Sequence, residues 1–341
     1  MGSPPTDPGT TVAVLGAGVW GTTLAIVLAR QGRSVLLWGS DEARMARLIH
    51  ERCNSASLPG IRFPDSLDIE CDLKRVCERA QGLIIAIPSG GFRGILRAIA
   101  PFCKNEKILA WATKGLEAGS HKRLSEVHAE ILPGRPATVV TGPTFAQEVA
   151  AGLPAALTVA SDDAGVAQRV AGWLRSDRLR IYTTDDVCGA EMGGAIKNVL
   201  AIAAGISDGL GFGTNARAAL ITRGLAELLR LGQALGARNE TLMGLSGVGD
   251  LILTCTDNLS RNRRVGLALA QGRSLGDITG ELGQAVEGVA SAREVYLLAR
   301  EHGVDMPITE QVYHVLFGGR TPQAAVDLLL NRDAKAETLI S

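Results

Sequence analysis

Short, continuous apolar runs recur along the first half of the chain: TVAVLG (11–16), SVLLWG (34–39), GLIIAIP (82–88), KILAWAT (107–113), ATVVTG (137–142) and AALTVAS (155–161). Each is of strand length and rich in β-branched or bulky apolar residues. LRIYTT (179–184) is a further strand candidate. Longer segments with helical spacing lie between most of them, such as DEARMARLIHERC (41–53) and GGFRGILRAIAPFC (90–103). Strands apolar on both faces that alternate with helices predict a mostly parallel sheet covered on both sides. From Gly189 the pattern changes. GAEMGGAIKNVLAIAAGISDGL (189–210), ARAALITRGLAELLRLGQALG (216–236), RNRRVGLALAQG (261–272), SAREVYLLAREHG (291–303) and TPQAAVDLLLNR (321–332) all read as helix, with almost no strand signal. The expected organisation is a flexible tail over 1–10, an α/β domain over 11–188 and an all-α domain over 189–341.

The first strand runs straight into Gly16-Ala17-Gly18-Val19-Trp20-Gly21, and a helical pattern follows at once. In this strand-to-helix context G-x-G-x-x-G is a dinucleotide-binding fingerprint. Gly16 makes the tight turn, Gly18 admits a pyrophosphate close to the backbone, and Gly21 lets the helix pack on the strand. The helix start offers unpaired N–H groups and partial positive charge to the phosphates. The α/β domain is therefore expected to be of Rossmann type. A second strand that binds NAD usually ends in Asp or Glu. Here it ends Trp38-Gly39-Ser40-Asp41, with Arg44 and Arg47 one turn further on. Ser40 with a nearby Arg suits a 2′-phosphate, whereas Asp41 also suits a plain helix cap. NADP and NAD both stay open.

Composition narrows the class. The chain has 341 residues and a formal net charge of zero, so no global field recruits nucleic acid or an anionic membrane. The six cysteines are scattered, with no C-x-x-C pair and no zinc-type spacing, which fits a reducing cytoplasm. The start, MGSPPTDPGT, lacks the basic and apolar regions of a signal peptide. No apolar run reads as a bilayer span. The five histidines sit in polar segments and are expected to be mostly solvated.

Lys197 is the strongest candidate for chemistry. It is the single cation in GGAIKNVLAIAAGIS, and an ammonium among small apolar groups is costly without a partner or a purpose. Such a lysine has a lowered pKa and exchanges protons near neutrality, or else it snorkels out of the helix. Asp250 follows GLSGVG and either faces a cleft, where it would hold Lys197, or caps the next helix. Ser260-Arg261-Asn262 opens a helix and suits a phosphate. Arg263 and Arg264 read as a solvated basic face. Lys114 and the loop Thr141–Phe145 follow strands, where open α/β folds bind their ligands.

The blocks GAGVWGTTLA, WATKGLE, TGPTFAQE, GGAIKNVLAI, SDGLGFGTNARAALITRGLAE, GLSGVGDLILTCTDNLSRNRR and QAVEG, taken together, resemble the bacterial NAD(P)-dependent glycerol-3-phosphate dehydrogenases over about residues 11–330. The resemblance implies interconversion of sn-glycerol 3-phosphate and dihydroxyacetone phosphate, supplying glycerophospholipid synthesis. By motif it implies Lys197 as the proton donor and acceptor, and Lys114 in contact with both cofactor and substrate. Gly142, Thr144, Asp250, Ser260, Arg261 and Asn262 match substrate positions. Gly16, Gly18, Val19, Trp20, Gly21, Ser40, Ala146, Arg261, Ala285 and Glu287 match cofactor positions. The cofactor is NADP or NAD and no metal is implied. The partner is the small-molecule substrate, with assembly as a homodimer left open. The competing readings are a hydroxy acid or oxo acid reductase on the same two-domain plan and a nucleotide sensor without turnover.

Overall fold

The computed structural model describes residues 9–103, 107–282 and 286–333. The chain divides into two compact units. One runs to Thr113 and resumes over Ser125–Val187; the other joins Lys114–Leu124 to the chain from Cys188 onward.

The first unit is a sheet of eight strands among the described residues: β1 (Val12–Leu15), β2 (Val35–Trp38), β3 (Leu67–Ile69), β4 (Gly82–Ile85), β5 (Ile108–Trp111), β6 (Thr138–Thr141), β7 (Ala155–Ser161) and β8 (Leu179–Thr184). Their order is β3-β2-β1-β4-β5-β6-β7-β8, with every pairing parallel except β6 with β7. The order reverses between β1 and β4, the point where open α/β sheets bind ligands. Leu67-Asp68-Ile69 was not expected as a strand, because three residues carry no period. The helices are α1 (Val19–Arg30), α2 (Glu42–Glu51), α3 (Leu73–Arg79), α4 (Phe92–Ile99), α5 (Leu124–Ile131), α6 (Ala146–Ala150) and α7 (Ala164–Leu174). Leu24, Ile26 and Leu28 of α1 are fully buried in the same core as Val12, Val14 and Ile84. Each such side chain contributes about 1.5–3 kcal/mol, which fixes the glycine turn between strand and helix. His128 departs from expectation: it is fully buried beside Trp111, and burial lowers its pKa to about 4.

The second unit is helical: α8 (Val187–Gly209), α9 (Gly213–Ala234), α10 (Asn239–Leu242), α11 (Asp250–Thr256), α12 (Arg261–Ala270), α13 (Leu275–Glu281), α14 (Glu287–Glu301), α15 (Pro307–Phe317) and α16 (Pro322–Leu330). Every residue from Gly189 to Ser207 is buried, so α8 is apolar all round and forms the centre of this core. By length and composition α8 would cross a bilayer, contrary to the sequence expectation, but 89% of its apolar window is buried inside the protein. Two glycines bring α12 against it. A Cβ on Gly205 would lie 2.1 Å from the carbonyl oxygen of Arg263, and one on Gly266 would lie 2.1 Å from that of Ile202. His121 is not solvated either; it pairs with Glu294 in this unit.

Candidate active site

In the first unit, the glycine turn sits at the reversal of strand order. Gly16 has φ +128°, and a Cβ there would meet the Ala86 carbonyl oxygen at 2.3 Å; one on Gly21 would meet the Gly16 carbonyl oxygen at 1.8 Å. A Cβ on Gly18 would meet nothing within 4 Å. Gly18 is extended and precedes α1 without a side-chain cap, and no acid stands in the first turn. The Trp20 indole N–H is buried with no hydrogen-bond partner. Open backbone, an uncapped helix start and an orphaned donor fit an anionic dinucleotide. Val19 opens the same helix.

The Thr23 hydroxyl of α1 donates to the carbonyl oxygen of Ala146, the first residue of α6. Just before α6, Gly142 has φ +136° and Thr144 donates to its carbonyl oxygen at 3.3 Å. Ser40 is exposed after β2. Asp41 accepts from the Arg44 N–H at 2.9 Å as the cap of α2, and its carboxylate also faces the Arg44 guanidinium. These contacts favour neither NAD nor NADP.

The second unit gathers the charged residues. The Asp250 carboxylate is fully buried and bonds two lysines: Lys114 Nζ at 2.6 Å on Oδ2, and Lys197 Nζ on Oδ1. Lys197 also donates to the Thr254 hydroxyl at 3.1 Å, and that hydroxyl donates to the Asp250 carbonyl oxygen at 2.6 Å. Burial, reinforced by the Lys114 charge, lowers Lys197 to about 8 although Asp250 opposes the shift. For Asp250, burial raises the pKa, but the two ammonium groups outweigh it and leave the carboxyl below its usual range. Lys197 therefore does not snorkel away: it is held, nearly dry, by a carboxylate.

Local structure explains why these groups meet. Asp250 begins α11 directly after a π-helical turn, Leu245–Gly249, a feature often found at functional sites. One turn ahead of Lys197 on α8 stands Gly193, where a Cβ would lie 2.1 Å from the Ser246 carbonyl oxygen. The π turn thus rests on the backbone of α8 and directs Asp250 at Lys197.

Ser260 caps α12 and accepts from the Arg263 N–H. Arg261 is half-buried, and its charge tempers a Glu287 carboxyl whose pKa is raised by burial. Asn262 donates to Asn198 at 2.8 Å and accepts from the Gly288 N–H at 3.1 Å, tying α8, α12 and α14 together. Arg263 corrects the expected solvated face. It is buried, donates to the Cys255 carbonyl oxygen and pairs with Asp208, which also binds Arg217 at 2.8 Å. Arg264 is exposed. Ala285 lies outside the described residues. Thr254, Asn198 and Asp208 were not expected; Thr254 stands one helical turn after Asp250, and Asn198 directly follows Lys197.

The family models for the N-terminus and the C-terminus of NAD-dependent glycerol-3-phosphate dehydrogenase match residues 11–167 and 186–327. The chain is 56% identical over 327 residues to the glycerol-3-phosphate dehydrogenase [NAD(P)+] of Thioalkalivibrio sulfidiphilus, covering 96% of this chain and 98% of that one. It is 53% identical to that of Nitrosococcus oceani, over 95% and 94% of the two chains. Among solved structures it is similar to a glycerol-3-phosphate dehydrogenase from Coxiella burnetii, with TM-score 0.93 and 44% identity over 95% of this chain and 100% of that one.

Proposed function

This chain belongs to the NAD-dependent glycerol-3-phosphate dehydrogenase family, and from that premise we propose that it interconverts sn-glycerol 3-phosphate and dihydroxyacetone phosphate with NAD or NADP. The observation that carries the reading is the buried Lys114–Asp250–Lys197 cluster, in a chain that also presents a dinucleotide-type glycine turn.

Gly16, Gly18 and Gly21, with the start of α1, would hold the cofactor's pyrophosphate, and Val19, Trp20, Ser40, Ala146 and Glu287 would line the rest of its site. When bound, the nicotinamide supplies hydride exchange at C4. Lys197 manages charge at the substrate C2 oxygen. In the reducing direction its ammonium stabilises the developing alkoxide and passes a proton to it; in the oxidising direction its neutral amine takes that proton back. A pKa of about 8 leaves both forms accessible near neutrality. Asp250 keeps the amine in place through a bond to Nζ, and Thr254 fixes a second direction. Lys114 shares the same carboxylate and adds positive charge beside the reacting oxygen. Ser260, Arg261, Asn262 and the start of α12 would bind the phosphate, with Gly142 and Thr144 as further substrate contacts. Holding the phosphate fixes C2 for hydride transfer. The same reading places the enzyme in the cytoplasm, as a source of glycerol 3-phosphate for glycerophospholipid synthesis.

Initial rates of dihydroxyacetone phosphate reduction with NADH and with NADPH test the reading. Wild-type protein should turn over with at least one of them, and Lys197→Met should lower kcat about 10²–10⁴-fold. Absence of turnover with both cofactors, or near-normal kcat in the lysine variant, would overturn it.

A further inference from the structure

The first unit carries a groove of about 1170 Å³ at the opposite end of its sheet from the glycine turn. Thr10 and Gln81 line it just ahead of β1 and β4, and Ile108 lines it as the first residue of β5. It therefore faces the N-terminal ends of β1, β4 and β5, whereas Gly16 follows the C-terminal end of β1. No step of the mechanism uses it.

Its lining is one-sided in charge. Five arginines, Arg30, Arg33, Arg169, Arg175 and Arg178, face one carboxylate, Asp177, in a chain of zero net charge. Helix C-termini project partial negative charge into such a space. Two of the arginines cancel it: Arg30 donates to the Ala150 carbonyl oxygen at 2.7 Å, and Arg33 donates to that of Gly172 at 3.1 Å and to that of Trp173. Arg169, Arg175 and Arg178 are exposed and are not needed for that task. Arg169, Gly172 and Trp173 share one face of α7 by their i, i+3, i+4 spacing. The rest of the floor is apolar. Val27, Val149 and Trp173 form its buried part, and Leu153 is 51% exposed at its margin. A cationic rim over an apolar floor matches a ligand with both characters.

We propose that this groove binds an amphiphilic anion, an acyl or similar apolar chain ended by a phosphate or carboxylate. Arg169, Arg175 and Arg178 hold the head group, and Val27, Leu153 and Trp173 receive the chain. The site is separate from the glycine turn and does not depend on the dehydrogenase reading.

Titration calorimetry of the full-length protein with dodecyl phosphate, below its micelle concentration, tests this, with methyl phosphate as the head-group probe. Saturable binding is expected, at least about tenfold tighter for dodecyl than for methyl phosphate. The triple variant R169A/R175A/R178A should weaken dodecyl phosphate binding at least about tenfold, with cofactor-dependent turnover and far-UV circular dichroism unchanged. Leu153→Glu should weaken dodecyl phosphate and leave methyl phosphate as in the wild type. Unchanged dodecyl phosphate affinity in the triple variant would place the binding elsewhere and overturn the proposal. Equal affinity for the two probes, or no saturable binding, would overturn it as well.

Discussion

Asp250→Asn removes the carboxylate charge that bonds both Lys114 and Lys197 and nearly preserves shape. Two ammonium groups then face each other through a neutral amide inside the protein. Unit charges about 4 Å apart interact by about 4 kcal/mol at an effective dielectric near 20. Water and local dipoles absorb part of that, and a further fall of about one to two pH units in the Lys197 pKa is the expected outcome. At pH 7.5 a lysine with a pKa of about 8 is about three quarters protonated. After the fall, roughly 3–24% remains protonated, a loss of about three- to twenty-five-fold in the form that delivers a proton. The reducing reaction should therefore lose about that factor at pH 7.5 and recover most of it near pH 5.5. The oxidising reaction needs the neutral amine, so the ascending limb of its pH profile should move to lower pH by the same interval. The assay is kcat/KM for dihydroxyacetone phosphate and for glycerol 3-phosphate across pH 5–9. A loss equal at every pH would show that Asp250 acts through geometry alone and would refute the electrostatic argument.

Two further perturbations address the scaffold. Gly193→Ala gains up to about 1 kcal/mol of helix propensity, but its Cβ would lie 2.1 Å from the Ser246 carbonyl oxygen, an overpacking that costs about 1–3 kcal/mol. Its Tm should fall together with kcat, whereas Gly94→Ala in α4, where a Cβ meets nothing within 4 Å, should leave Tm unchanged or raise it; equal Tm changes in the two variants would contradict this account. His128 stays neutral when folded down to about pH 4, whereas the unfolded chain takes up the proton near pH 6.5. Its contribution is therefore full above pH 6.5 and lost as pH falls toward 4, by up to about 3 kcal/mol. Urea denaturation from pH 4 to 7 should show a shallower acid loss for His128→Leu than for wild type, and parallel curves would rule the mechanism out.

The elements of both units were largely legible because their patterns are strong. Runs such as Val12–Leu15 and Ile108–Trp111 are buried on both faces and contain no polar residue to break the reading. β3 escaped because Leu67-Asp68-Ile69 is shorter than any usable period. The two misread kinds of residue share a cause. Arg263 looked solvated because its neighbours Arg261 and Arg264 are charged, yet α12 lies so close on α8 that Arg263 reaches Asp208 instead of water. His128 and His121 looked solvated because polar residues surround them in sequence, while Trp111 and Glu294, far away in sequence, define their surroundings. A local window carries the sign of a charge but not the partner that a tertiary contact supplies.

Lys197 shows the limit most clearly. Its apolar surroundings in sequence were enough to mark it, because an ammonium at that position must be paired or functional. They could not reveal that one carboxylate serves two lysines, since Lys114, Lys197 and Asp250 lie on three separate segments. What brings them together is backbone, not side chain: Gly193 admits the π turn against α8, and the turn sets the direction of Asp250. The closely spaced glycines of GLSGVG are therefore part of the proton-handling apparatus as much as Asp250 itself. A charge cluster buried this deeply persists only if its carboxylate cannot turn away, and the tight seat of the turn on the helix supplies that constraint.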